Sequence, residues 1–232
     1  MSGHLISGLA VPAVFAVLAY TLGVVGWSGA LGGFGIAAPI YLSLGWRGFA
    51  VLALFVVGGS VLTRLGYRRK ELSGTAESGG GRRGARNAFA NGGVPVLCAL
   101  LAALTPYPEA FAAAFVAALG AAFADTSESE IGQLYGAIPR LITTMAGVPP
   151  GTDGAVSLPG TLAGVGAAGL TAALGFALGL IGGPGAALLV AGAAVLGTVA
   201  DSLIGALMPR VGNELTNVVC TLTAAVLAFA LA

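Results

Sequence analysis

"EAFAAAFVAALGAAFADTSESEIGQLYG", residues 109–136, runs from an unbroken apolar stretch straight into a cluster of acids. Asp125, Glu128 and Glu130 fall within six positions, in a chain that has nine acidic residues among 232. Fifteen or so small and aromatic residues followed by carboxylates is the pattern of a membrane helix whose end carries chemistry. The rest of the chain agrees. With 57% hydrophobic and 8% charged residues and a mean hydropathy of +0.96, the protein cannot clothe a soluble surface with polar groups and is an integral membrane protein.

Crossing a hydrocarbon core of ~30 Å takes roughly 20 apolar residues, so this length predicts an all-α, polytopic transmembrane helical bundle of about seven or eight spans. Candidate spans lie near 5–25, 29–45, 47–64, 88–105, 109–124, 159–181, 184–206 and 214–231. The second and fifth are short enough to be tilted or re-entrant. The first has no basic n-region and no clear cleavage site, and is expected to be a retained span. Residues 1–232 are expected to form one transmembrane domain, with 64–87 a basic cytoplasmic loop and 88–232 the part carrying the motifs. Thirty-nine glycines among many alanines suit close helix contact in lipid.

Seven of the ten Lys and Arg residues lie between Arg64 and Arg86, which places that loop in the cytoplasm by the positive-inside rule. Counting spans outward from it puts residues 126–158, Asp201 and "PRVGNELTN" (209–217) on the same face. A cytoplasm-facing site is therefore expected. A secondary transporter would instead hold its polar groups near the midplane. The net charge of +1 gives no support to nucleic-acid binding. Cys98 and Cys220 stand singly in apolar runs and read as buried thiols. His4, the only histidine, precedes the first span, so chemistry has to rest on carboxylates, arginines and backbone dipoles.

Carboxylates near a helix end in lipid need a metal or arginine to offset their cost. Oxygen ligands without histidine or thiolate favour Mg²⁺. Asp125 and Asp201 end two spans that run the same way, and so are expected at similar depth. On a continuous helix Asp125, Glu128, Ser129 and Gly132 share a face and Glu130 lies on another; a helix ending near Asp125 would let Glu130 turn back to join the aspartates. The Gly- and Pro-punctuated "GVPPGTDGAVSLPGT" (147–161) opens into a span and presents backbone N–H groups suited to phosphate, with Arg86 and Arg140 nearby in sequence.

"ADTSESEIG", "ITTMAGVPPGTDGAVSLPGTLAG", "ADSLIGA", "GNELTN" and "RNAFANGG" resemble, in that set, the integral-membrane family that contains the phytyl-phosphate kinases of tocopherol biosynthesis. The resemblance runs from about Arg86 to Asn217, and extends more distantly to the CTP-dependent dolichol and phytol kinases. It implies transfer of a phosphoryl group from a nucleoside triphosphate, CTP above all, to an isoprenyl monophosphate such as phytyl or geranylgeranyl phosphate. It marks Asp125, Glu130 and Asp201 for metal and catalysis. Thr126, Ser129, Gly151, Thr152, Gly154, Ser157, Ser202, Asn91, Asn213 and Asn217 are marked for nucleotide or phosphate. The chain departs from the family's usual pattern at Ser127 and Glu128, at Asp153 and at Asn87. A prenyl-alcohol kinase or a CTP-using nucleotidyl transferase would use much the same groups.

Overall fold

The computed structural model describes residues 2–232; the side chains of Ser2 and His4, and with the latter the only imidazole, lie outside the described residues. In chain order the helices are α1 (Ser2–Thr21), α2 (Trp27–Arg64), α3 (Tyr67–Leu72), α4 (Ser78–Gly81), α5 (Ala85–Leu104), α6 (Pro108–Tyr135), α7 (Leu158–Ala177), α8 (Pro184–Leu207) and α9 (Asn213–Leu231). Between α6 and α7 a two-residue antiparallel ladder joins β1 (Arg140–Leu141) to β2 (Ala155–Val156). The protein is an all-α membrane bundle.

Helix α6 is the axis. Alanine, the best helix former, fills it, and Pro108 stands in the first turn, where its missing N–H costs nothing. Every residue from Ala112 to Ala124 is buried, because α2, α5, α7, α8 and α9 all pack against it. The apolar part of α6 is 83% buried, against 28–39% in the other long helices. The small side chains make this possible. A Cβ on Gly197 would meet the Cys220 carbonyl and Ala224 of α9, and one on Gly175 would meet Val116 of α6 at 2.8 Å. Dispersion between closely approaching backbones thus replaces the hydrophobic effect, which gives little between helices already in lipid.

Six helices are long and apolar enough to cross a membrane, and α1 adds the shorter apolar stretch Leu5–Thr21. Two of the expected spans, 29–45 and 47–64, are arms of one helical run, α2, broken at Gly45 with φ 66° and ψ −161°, a conformation open only to glycine. A straight helix of 38 residues would be about 57 Å long. Its ends instead meet at one end of the bundle. Arg64 at its C-terminus donates to the Leu22 carbonyl at 3.0 Å, and Gly26 at its N-terminus donates to the Arg83 carbonyl. The fifth expected span is corrected in the other direction. It does not stop at residue 124 but continues as helix to Tyr135, carrying its acids on helical turns between packed neighbours.

The basic segment after α2 is folded back and pinned. Lys70 of α3 is 1% exposed, forms a salt bridge with Glu130 of α6, and donates to the carbonyls of Leu62 (3.2 Å) and Thr63 (2.8 Å). All three ammonium protons are therefore used.

Two outcomes follow from this packing. Gly197→Val should lower stability in detergent by about 1–3 kcal/mol through overpacking, whereas Gly166→Val, with nothing within 4 Å of the added Cβ, should melt like the parent; thermal unfolding in one detergent compares them. Glu130→Ala leaves the buried Lys70 unpaired and should cost about 3–5 kcal/mol, while the apolar pair Lys70→Met with Glu130→Leu should recover most of it. Recovery in the double variant, read by the same melting curves, separates a structural ion pair from a chemical role.

Candidate functional site

One turn of α6 faces two ways. At ~100° per residue, Glu128 lies about 60° from Asp125 around the helix and Glu130 about 140° away. Asp125, Glu128, Ser129, Gly132 and Gln133 line a cavity of ≈ 200 Å³ between α6, α7, α8 and α9 at one end of the bundle. Thr126 and Glu130 point to the opposite flank, where Arg83 donates to the Thr126 hydroxyl at 3.4 Å and Lys70 holds Glu130.

The cavity is closed from α8 by Asp201 and Ser202, from α9 by Asn213 and Thr216, and from above by the loop from Pro150 to Ser157. This loop sits directly on α8. A Cβ on Gly154 would collide with the backbone of Ser202 and Ala206, and its φ of 73° already calls for glycine. Gly151, at φ 85°, turns the chain over Thr75 of the basic segment, where a Cβ would stand 3.1 Å from the Thr75 methyl. Ser157 then caps α7, its hydroxyl accepting from Gly160 N–H at 3.3 Å. The positive end of the α7 dipole is thereby presented at the cavity wall, although Pro159 carries no N–H and those of Gly160 and Thr161 are engaged by Ser157. At the same level α6 and α7 cross closely enough that a Cβ on Gly160 would lie 2.6 Å from the Glu128 carbonyl.

Charge in the cavity has one sign. Asp125, Glu128, Asp153 and Asp201 line it, and no lysine or arginine does. Asp125 feels the like charges of Asp201 and Glu128, and more weakly the opposite charge of Arg83 across the helix. Glu128 has one oxygen engaged, accepting from Thr198 at 3.0 Å. Asp201 Oδ1 and Gln133 Oε1 are buried without any hydrogen-bond partner. Two orphaned acceptors in an acidic cavity call for a cation or for donors carried by a ligand. Among the described residues no three carboxylate, thiol or imidazole groups form a ready cage for a metal. Any Mg²⁺ here would complete its shell with water and ligand phosphate, as Mg²⁺ commonly does.

The structure thus brings Asp125, Ser129, Gly151, Thr152, Gly154, Ser157, Asp201, Ser202 and Asn213 to one cavity. It does not bring Glu130, which is corrected here. Because α6 does not end at Asp125, Glu130 stays on the far face and pairs with Lys70, and Glu128 takes the place beside the aspartates. Thr126 is buried on that far face. Arg140 turns its guanidinium onto the Met145 carbonyl at 2.8 Å, Arg86 is exposed at the start of α5, and Asn91 is buried, bonding to the Asn87 carbonyl of its own helix. Asn217 is buried in α9 outside the cavity lining. Gln133, Asp153 and Thr216 also line the cavity without being expected as site residues; the helical period from Asp125 is the available signal for Gln133, and the quoted motifs 147–161 and 212–217 contain the other two.

Against known proteins, the family described as "Integral membrane protein DUF92" matches residues 10–225. "Uncharacterized membrane protein sll0875" of Synechocystis sp. is 40% identical over 195 residues, covering 82% of this chain and 75% of that protein. "Protein VTE6, chloroplastic" of Arabidopsis thaliana is 38% identical over 182 residues, 74% of this chain and 54% of that protein, so the chain spans about half its length. "Uncharacterized membrane protein MJ0933" of Methanocaldococcus jannaschii is 35% identical over 79% of this chain and 75% of its own. No solved structure matches. With nearly the whole chain covered by the family and a multi-pass apolar fold to go with it, the protein belongs to the integral membrane protein family DUF92.

Proposed function

We propose that the protein is an isoprenyl-phosphate kinase, transferring the terminal phosphoryl group of a nucleoside triphosphate, CTP in the first instance, to an isoprenyl monophosphate such as phytyl or geranylgeranyl phosphate. The observation that carries this reading is the acidic cavity with two unpaired acceptors beneath a glycine-turned loop and a helix N-terminus. Membership of the family and the motifs that resemble phytyl-phosphate kinases support it. An acid-lined pocket repels a triphosphate unless a divalent cation comes with it. Mg²⁺, when bound, would neutralise charge between donor and acceptor phosphates.

Asp125 and Asp201 are the residues to hold that ion, with water and ligand phosphate completing its shell, and Glu128 lines the cavity beside them where Glu130 was expected. N–H groups of the 150–157 loop, aided by the positive end of the α7 dipole, receive the phosphate oxygens. A phosphate monoester is already anionic near neutral pH, so the acceptor needs no strong base. The site is proposed to face the cytoplasm, since the basic segment 64–87 folds over the same end of the bundle. One feature favours a second reading. Glu128 keeps an oxygen free of Thr198 within the cavity, and could serve as the base that an alcohol acceptor requires.

Purified protein offered CTP, ATP and GTP against phytol, phytyl phosphate and geranylgeranyl phosphate, with products separated by charge, distinguishes these readings; diphosphate from the monophosphates is the expected result, and monophosphate from phytol alone would establish the alcohol kinase instead. Asp125→Asn and Asp201→Asn should each lower turnover at least a thousandfold while melting within a few degrees of the parent, and retention of near-full Mg²⁺-dependent transfer would remove them from the site. Gly154→Ala should weaken nucleotide binding at least tenfold, because the loop must lift from α8, whereas Arg140→Ala should change it less than twofold; equilibrium binding of labelled nucleotide measures both.

A further inference from the structure

A second cavity lies on the other flank of α6's neighbours, between α1, the two arms of α2 and α5. It is unlike the first in chemistry. Phe15, Ile36 and Phe55 form its walls, with an open volume of ≈ 80 Å³, and its polar lining comes from Ser60, Arg83 and Asn87. Arg83 is held there by its backbone, which bridges in parallel to Val25 and accepts from Gly26 N–H at 3.2 Å. Its guanidinium reaches across to Thr126 through both terminal nitrogens, at 3.4 Å each, and to the Thr63 hydroxyl, also at 3.4 Å. Its Nε is buried without any partner. A buried guanidinium donor left open is costly unless an acceptor arrives.

We propose that this cavity binds the acceptor: the first part of a single isoprenyl chain lies among Phe15, Ile36 and Phe55, and its terminal phosphate meets Arg83. The identity of the chain rests on the kinase reading above; the pairing of an apolar slot with an open guanidinium does not. Arg83 then has two tasks by geometry. It binds the anion at the mouth of the apolar cavity, and through Thr126 it sets that anion one residue from the carboxylate of Asp125. The two cavities share no lining residue, so a phosphate on Arg83 has to move around α6 to meet a nucleotide held in the acidic cavity. An open volume of ≈ 80 Å³ has room for part of one chain.

Gly33 gives a clean test, because it lines this cavity and a Cβ placed on it would meet nothing within 4 Å. Gly33→Leu fills the slot without displacing backbone. In nanodiscs and without nucleotide, geranylgeranyl phosphate carrying a terminal photoreactive group should crosslink to α1, α2 or α5, and Gly33→Leu should weaken its binding at least tenfold while labelled CTP binding changes less than twofold. Arg83→Gln should weaken geranylgeranyl phosphate but not geranylgeraniol. Lysophosphatidate and inorganic phosphate serve as competitors; displacement by inorganic phosphate as effective as by the prenyl phosphate would show an anion site with no chain specificity and overturn the proposal, as would crosslinks confined to α7–α9 or unaltered binding to a folded Gly33→Leu. Because binding is read without turnover, a protein that binds the prenyl phosphate here but transfers nothing would sink the kinase reading alone. Transfer that survives Gly33→Leu with an unchanged KM for the prenyl phosphate would sink this assignment alone.

Discussion

Burial of α6 is the constraint on which the other features rest. A helix packed on all sides has no lipid-facing surface to which a carboxylate could retreat, so each polar group it carries must be met by a neighbour or by a ligand. Ala and Gly let five helices approach, and the closeness of that approach leaves Asp125, Glu128 and Glu130 only the interior to point into. The basic segment after α2 answers on one flank, with Lys70 on Glu130 and Arg83 on Thr126. On the other flank the chain answers only in part: Thr198 donates to Glu128, while Asp201 Oδ1 has no partner among the described residues. There Asp125, Glu128 and Asp201 surround open space.

That asymmetry gives the site its character. The Lys70–Glu130 ion pair consumes the charge of Glu130 and holds the 64–87 segment in place, with Thr75 under Gly151 of the loop over the acidic cavity. The acidic flank keeps its carboxylates around open space, with Asp201 Oδ1 left without a partner among the described residues. Both flanks lie at one end of the bundle, which suits the proposed transfer between a nucleotide and a prenyl phosphate better than passage across the membrane. A transporter would want its polar groups deeper and reachable from both sides.

Composition and hydropathy determined a great deal by themselves: the membrane environment, the helical class and the approximate location of nearly every span, because burying a backbone in lipid permits little else. The same holds for Asp125 and Asp201, set at matching depth by two spans that run in one direction, and for the 147–161 loop, whose glycines are demanded by local backbone geometry. Even Glu128 was legible in part. The period of a continuous α-helix puts it beside Asp125, and only the supposition that the helix ended there set it aside.

What the tertiary structure decided was the partner of each group. Sequence fixes relative angles around a helix, not which neighbour occupies each direction, and a chain that folds back at Gly45 brings Lys70 to Glu130 across sixty residues. That one docking removed Glu130 from the cavity, offset a charge for which the membrane runs offer no counter-ion, and left Arg83 between two cavities. Helix periodicity is a local property of the backbone; the assignment of faces depends on packing between segments distant in sequence, and only the assembled bundle supplies it.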